Sequence, residues 1–178
     1  SYNDFKQRID EIQSVINIKG LDEQKQNIIN KLSYINIITS LDTFICDIIL
    51  TKIIQDEESF NNFFNSIPPC KKKDEMTKLK EDNLVAQWEQ KVIEYVMRTS
   101  YSNIDTIKDI LKELFKVSII DTNGKMKKHF YYRNLLAHRN GRKKDGGYIN
   151  ITNEELKSLI TDTQSIAKQI QTKIKPEH

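Results

Sequence analysis

The feature that most constrains the fold is a long apolar pattern that begins near Asp22 and continues to Ile53. No proline or glycine interrupts it, and its large side chains recur at the spacing of one helix face. At about 1.5 Å per residue, the pattern predicts either one helix of about 45–50 Å or two helices broken near Thr39-Ser40. In both cases we expect it to be the central element of the core. The positions are Ile28, Leu32, Ile35, Ile38, Leu41, Phe44, Ile45, Ile48, Ile49 and Ile53.

The rest of the chain favours the same kind of structure. Its 178 residues include 27 isoleucines, which fall mostly at helical spacing and rarely in alternation with polar residues. Five glycines and three prolines are few for a β-sandwich or barrel, because those folds need many turns. The sequence therefore predicts an all-α, single-domain bundle of five to six helices.

Two segments lie outside the clearest helical patterns. Residues 1–20 are expected to form an N-terminal accessory helix, followed by a helical domain over residues 21–178. Ser59–Asn65 is expected to form one or two helical turns. Cys70–Asn83 is rich in charge and lacks apolar periodicity, so we predict a mobile charged connection at about residues 67–83.

Several helix ends have recognisable signals. Ser102 is a predicted N-cap, and Asp121–Gly124 is a predicted turn because asparagine and glycine tolerate positive φ. Gly141 is expected just after the end of a helix that begins near Lys125. Thr152 and Glu155 have the spacing of a capping box at the start of the last helix.

The cysteines and the charged residues predict a cytoplasmic protein without a membrane-spanning segment. Cys46 and Cys70 form neither a disulfide framework nor a metal-ligand pattern, and we expect no metal and no cofactor. The chain begins at Ser1 without a recognisable leader, so no secretion signal is expected. The most apolar stretch, Ile35–Ile54, is expected to be a buried helix because charges within it would be costly in lipid. Those charges are Asp42, Asp47 and Lys52.

The positive charge is concentrated in the segment Lys125–Lys144. It holds eight basic and no acidic residues, leaving 20 basic and 25 acidic residues in the rest of the chain, a balance of −5. Aromatic rings lie among these cations, which is typical of a surface for nucleic acid. A solvated basic helix whose aromatic residues face the core is the alternative. The expected RNA contacts are Lys127, Lys128, Tyr132, Arg139, Arg142, Lys143 and Lys144.

The same segment contains side chains suited to proton transfer and phosphate binding. Asn134 and His138 lie about 40° apart around an ideal helix, whereas Arg133 lies about 140° from His138. Only the long arginine side chain, a local kink or a second copy of the helix could bring Arg133 and His138 to one ligand. His129 lies about 180° from His138, so we expect it at the surface and outside the site.

These residue types fit RNA cleavage without a metal. Histidine is the usual general acid or base near neutral pH, and the planar arginine side chain matches two phosphate oxygens. The 2′-hydroxyl of RNA is an internal nucleophile beside its own phosphodiester, so a proton acceptor, a proton donor and charge stabilisation are sufficient. The alternative is structural: Arg133 pairs with a core acid and His138 caps or packs.

The order Arg133-Asn134, three further residues, His138, then Gly141, a loop, Ile-Thr and a long final helix resembles the HEPN superfamily, in particular its RiboL-PSP and abortive-infection-like ribonuclease domains. The ribonuclease motif of that superfamily is an arginine followed at short spacing by a histidine, commonly with a polar residue next to the arginine. Asp42, in the central apolar helix, is similar to an acid in an early HEPN helix. The resemblance covers roughly residues 28–174, without the N-terminal helix and the charged connection.

The resemblance implies a helical bundle that forms a homodimer, with both motifs in one composite cleft. Many such domains are metal-independent endoribonucleases that act as toxins or anti-phage effectors, with an antitoxin or a larger effector as possible partner. By this resemblance His138 would transfer protons, Arg133 would hold the phosphate, and Asn134 and Asp42 would orient the reacting groups. Two alternatives stay open: an inactive HEPN-like module that binds RNA or a nucleotide or only dimerises, and a pure interaction domain.

Overall fold

The structure is a computed structural model and describes residues 1–101 and 103–174. These residues form eight α-helices, so the all-α prediction is confirmed, although five to six helices were expected. The predicted N-cap Ser102 lies outside the described residues. The helices are α1 (Tyr2–Ile16), α2 (Glu23–Gln55), α3 (Glu57–Ser66), α4 (Lys71–Glu81), α5 (Val85–Arg98), α6 (Ile104–Phe115), α7 (Lys125–Arg139) and α8 (Asn153–Lys173).

The long apolar pattern is one helix, α2, and it continues through the position where a break was possible. The Thr39 hydroxyl donates to the Ile35 carbonyl at 3.0 Å, and the Ser40 hydroxyl donates to the Asn36 carbonyl at 2.9 Å. Hydroxyls bonded within their own helix no longer compete for the backbone, so the helix is not interrupted. Within the described residues, no helix is long and apolar enough to cross a membrane.

The N-terminal end of the α2 pattern differs from the prediction. The middle of the pattern is buried, with Ile38 and Leu41 fully enclosed. Ile28 and Leu32, predicted on the core face, are 57% and 56% exposed. Both have the correct helical spacing, but the described helices pack against a different side of this end of α2.

The described residues divide into two compact units. The first contains residues 1–44, 103–104 and 119–174, and includes α1, most of α2, α7 and α8. In it, both α1 and α7 pack against α8. Phe5 and Ile9 of α1 are buried, and the rings of Phe5 and Phe44 lie 5.5 Å apart between centroids.

The second unit contains residues 45–101 and 105–118. The short helix expected at Ser59–Asn65 is α3, which begins two residues earlier because the Asp56 side chain accepts from the Glu58 and Ser59 amides at 3.2 and 3.3 Å. The prediction that Cys70–Asn83 lacks regular structure is wrong, because this segment forms α4.

α4 was not predicted because its buried contacts do not form an apolar repeat in the sequence. Met76 is 3% exposed, and the Lys80 ammonium lies 4.5 Å from the Trp88 ring centroid and 5.5 Å from that of Phe64. Lysine stems therefore cover the aromatic rings, a contact that apolar periodicity does not reveal.

The predicted signals around α7 and α8 are confirmed. Asn123 and Gly124 have φ of 59° and 64°, in the turn before α7. The Thr152 hydroxyl accepts from the Glu155 amide at 3.1 Å, and the Glu155 carboxylate accepts from the Thr152 amide at 3.0 Å. The starts of α7 and α8 are therefore both set by local sequence signals.

Candidate active site

The loop after α7 ties the C-terminal end of that helix to α2. Gly141 has a φ of 80° and donates its amide to the Leu135 carbonyl at 2.9 Å, which ends the helix. Further along, the Asn27 side chain donates to that of Asn150 at 2.7 Å. Because the Ile149 amide also donates to the Gly141 carbonyl at 2.9 Å, the loop links the His138 end of α7 to the N-terminal part of α2.

His129 is buried in α7, and the prediction that it lies at the surface is wrong. Its side chain is 6% exposed and lies between two partners. The Tyr34 hydroxyl is 2.7 Å from Nδ1, and a carboxylate oxygen of Asp162 is 3.0 Å from Nε2. The network therefore joins α2, α7 and α8.

The hydrogen bonds define the protonation of this network. The Asp162 carboxylate can only accept a hydrogen bond, so Nε2 of His129 carries a proton and donates it. In a neutral ring Nδ1 is then unprotonated and accepts from the Tyr34 hydroxyl. Burial lowers the pKa of His129, although the Asp162 carboxylate opposes this shift. Burial raises the pKa of Tyr34 well above its usual range. A neutral imidazole between a phenol and a carboxylate satisfies all three groups.

The Asp162 carboxylate has two further partners. The Ser158 hydroxyl donates to it at 3.2 Å, and the Lys125 ammonium lies 3.5 Å from its second oxygen. These contacts hold the start of α7 against α8. We infer that the whole network limits rotation of α7 about its own axis.

Arg133 lies on the same side of α7 as His129, because four residues correspond to about 40° of rotation. Its side chain is half-buried, and its Nη1 donates to the Asn134 side-chain oxygen at 3.2 Å. Its Nε is buried and has no acceptor among the described residues. The guanidinium is therefore held by Asn134 while one of its donors stays unsatisfied, which is unfavourable for a charged group.

His138 lies on the exposed side of the same helix. Tyr131, Asn134 and His138 are all exposed and fall within an arc of about 60°. Arg133 and His138 start from sides about 140° apart on an ideal helix. The structure brings Arg133 and Asn134 together and leaves His138 on the outer face of α7.

The predicted RNA-contacting residues cluster on α7 and the loop that follows it. Lys127, Lys128, Arg139, Arg142 and Lys144 are exposed, and Tyr132 and Lys143 are half-buried. The Tyr132 ring has partners within the protein: the Lys128 ammonium lies 5.1 Å from its centroid, and the Tyr34 ring lies 6.4 Å away.

Two other aromatic rings in this region are more exposed than that of Tyr132. Tyr131 is 48% exposed and Tyr148 is 63% exposed. They are better placed than Tyr132 for base stacking. The sequence places both tyrosines within or just after the basic segment, but nothing in its pattern separates exposed rings from packed ones.

Asp42 is half-buried in α2, eight residues after Tyr34 or about 12 Å along the helix. Asn27, which holds the loop after His138, lies about 22 Å from Asp42 along the same axis. The structure therefore does not place Asp42 alongside His138 within one protomer, and a role for Asp42 stays a prediction. The acid linked to α7 is Asp162, which helical spacing does not reveal because 33 residues separate it from His129.

In the described part of the chain, no group of three or more His, Cys, Asp or Glu side chains could hold a metal ion. Cys46 and Cys70 form no disulfide, and the first is half-buried and the second exposed. α7 itself carries imidazole, guanidinium, amide, ammonium and phenol groups.

The described residues form an all-α fold, and α7, the helix before the last, carries an arginine, an asparagine and a histidine. This combination is the one expected of a HEPN domain. The chain matches the family model RiboL-PSP-HEPN over residues 3–176. Since this match spans almost its whole length, the chain belongs to the RiboL-PSP-HEPN family. The match includes α1 and α4, which the motif resemblance left out. Neither the curated proteins nor the solved structures gave a significant match.

Proposed function

We propose that this protein is a metal-independent endoribonuclease that works as a homodimer, with one composite site built from two copies of α7. The observation that carries the proposal is the Arg133–Asn134 pair, with its unsatisfied guanidinium donor, on the helix that also displays His138. Membership of a HEPN family and eight basic residues in Lys125–Lys144 support it.

The proposed reaction uses the 2′-hydroxyl of RNA as the nucleophile. His138 accepts its proton, the 2′ oxygen forms a bond to phosphorus, and the bond from phosphorus to the 5′ oxygen breaks. A protonated His138 returns a proton to that 5′ oxygen, so the products are a 2′,3′-cyclic phosphate and a 5′-hydroxyl. Arg133 neutralises the crowded phosphate, and Asn134 holds Arg133 in place.

A dimer could bring Arg133 and His138 to one substrate, although the two residues lie on different sides of a single helix. A second copy of α7 facing the first could supply His138 opposite Arg133. The exposed apolar residues Ile28 and Leu32 lie in the half of α2 that contacts the loop after α7, and they offer an apolar surface for pairing.

Product analysis after mutation tests this proposal. His138→Ala is expected to reduce cleavage of a mixed RNA substrate by about 10²–10⁴-fold, with helix content and dimer mass unchanged. Ser165→Ala, an exposed change on α8, is the matched control. Wild-type cleavage is expected to be unaffected by EDTA. Cleavage that survives His138→Ala, or that stops with EDTA, would contradict the mechanism.

The second candidate is an inactive HEPN module that binds RNA or a nucleotide. The half-buried Arg133, already bonded to Asn134, favours it, because that arrangement also suits a structural arginine. Binding without any 2′,3′-cyclic product would support this alternative. For the active form, the family resemblance suggests a cytoplasmic toxin or anti-phage effector, with an antitoxin or larger effector as partner.

A further inference from the structure

A cleft in the second unit, between α4 and α5, is separate in its residues from the α7 site. Its volume is about 410 Å³, and its lining includes Met76 and Leu79 from α4 and Tyr95 from α5. Sites for small molecules commonly enclose about 300–1,000 Å³. The cleft therefore has the size of a site for a small organic molecule.

The sequence of the two helices explains why the cleft stays open. Four lining residues of α4 and four of α5 follow the spacing i, i+3, i+4 and i+7, so each helix presents one face to the cleft. In a closed helix pair such positions are apolar. Here they include long charged side chains, and only Met76, Leu79 and Tyr95 form an apolar floor. The two sets are Lys72, Glu75, Met76 and Leu79, and Lys91, Glu94, Tyr95 and Arg98.

The rim of the cleft has an excess of positive charge. Lys91 pairs with Glu94 at 3.4 Å, which leaves Glu75 as the remaining acid. The other cations of the lining form no ion pair with any residue that the structure describes. They are Lys72, Lys78 and Arg98. A negatively charged ligand could therefore bind to these cations without breaking an existing ion pair.

The floor of the cleft suits an apolar or aromatic body. Met76 is 3% exposed, so the apolar surface open to a ligand comes mainly from the half-buried Leu79 and Tyr95. The Tyr95 ring is half-buried, and burial raises the pKa of its phenol, which therefore remains a neutral hydrogen-bond donor. Inorganic phosphate alone would not use this floor.

We propose that the α4–α5 cleft binds a small amphipathic organic anion, whose aromatic body lies on Met76, Leu79 and Tyr95 and whose phosphate or sulfonate group is held by Lys72, Lys78 and Arg98. The apolar floor selects for the aromatic body of the ligand, and the cationic rim selects for its anionic group. The site does not depend on the proposed ribonuclease activity, because its residues lie in other helices than Arg133 and His138.

Two matched fluorescent probes test the ligand class. Anilinonaphthalene sulfonate has an aromatic body and an anionic group, whereas N-phenyl-1-naphthylamine has a similar body without the charge. Titration of the full chain, well below its melting temperature, is expected to give one site per protomer for the anion. Its affinity is expected to exceed that of the neutral probe by at least about tenfold. Equal affinity, or no saturable binding of the anion, overturns the proposal.

Paired substitutions test the location. Lys72→Gln with Arg98→Gln is expected to weaken binding of the anionic probe by at least about tenfold. Lys112→Gln with Lys116→Gln removes two exposed cations outside the lining, in the same unit, and is expected to leave the affinity unchanged. Circular dichroism checks that both variants are folded. An equal affinity for the first pair and the wild type would refute the assignment to this cleft.

Discussion

The Tyr34 hydroxyl lies 2.7 Å from Nδ1 of His129, and this hydrogen bond joins α2 to α7 at a fully enclosed point. It directs the second ring nitrogen of His129 toward Asp162 on α8. Arg133 follows one turn later on the same side of α7. The rotation of the helix that displays the proposed catalytic groups is therefore set by a buried polar network rather than by apolar packing alone.

Tyr34→Phe is expected to lower the free energy of unfolding by about 1–3 kcal/mol, because Nδ1 of His129 loses its donor in a buried position. Tyr148→Phe is the matched control, since its side chain is 63% exposed, and should change stability by less than about 0.5 kcal/mol. Urea denaturation followed by circular dichroism measures both. Equal midpoints would show that the Tyr34 hydroxyl contributes nothing.

Acidification is expected to destabilise the fold through His129. Burial lowers the pKa of His129 below its usual 6.5, so the unfolded chain takes up a proton there that the folded protein resists. Stability from this group is present above about pH 6.5 and is lost as the pH falls toward the lower folded pKa. The groups that face or influence the ring are Tyr34, Asp162, Lys125 and Lys128.

Denaturant titrations between pH 7.5 and 5 measure this effect. His129→Gln is expected to have a smaller loss of stability across that window, although its stability at neutral pH is lower. His138→Gln, which removes an exposed histidine from the same helix, is expected to keep the wild-type dependence. The same pH dependence in both variants would assign the effect to other groups.

Mixing two inactive variants is expected to restore cleavage if the site is composite. The composite site of a dimer holds two Arg133–His138 couples, and we expect each couple to take its arginine and its histidine from different protomers. A mixed dimer of Arg133→Ala and His138→Ala then keeps one intact couple, and half of randomly paired dimers are mixed. Random pairing then gives about a quarter of wild-type activity. Subunits are mixed in mild denaturant, refolded and assayed on RNA. Activity that remains at the background of either variant alone would indicate a site within one protomer.

Leu32→Glu is expected to convert the dimer into a monomer and to reduce cleavage together with dimer mass. The physical reason is that a carboxylate would replace an exposed apolar side chain in the proposed interface. Ile54→Glu is the control, because Ile54 is also exposed, at 64%, but lies in the other unit. Light scattering gives the mass. A dimer that persists in Leu32→Glu would exclude this part of α2 from the interface.

RNA binding is expected to weaken steeply with salt, because contacts to phosphate release counterions. With a His138→Ala background to prevent cleavage, Lys144→Gln should reduce the salt slope by about 0.7 for a single-stranded RNA. Lys168→Gln, an exposed change on α8 outside the basic segment, should leave it unchanged. Fluorescence anisotropy at several salt concentrations measures the slope. Equal slopes for all three proteins would remove Lys144 from the interface.

Local signals predicted most of the helices and their ends. The capping box of Thr152 and Glu155 and the turn at Asn123-Gly124 depend only on neighbouring residues, and both were correct. α4 was missed because its buried surface comes from Met76 and lysine stems over aromatic rings of other helices. No periodic pattern within the segment itself encodes that burial.

The candidate site was predictable in part. The Arg133, Asn134 and His138 spacing, the basic segment and the all-α class follow from the sequence, because helical angles and charge content are local properties. Tertiary structure alone decided that His129 is buried, that Asp162 is its partner, and that Ile28 and Leu32 remain exposed. Each of these depends on which side of a helix meets a distant segment of the chain, and periodicity cannot specify that partner.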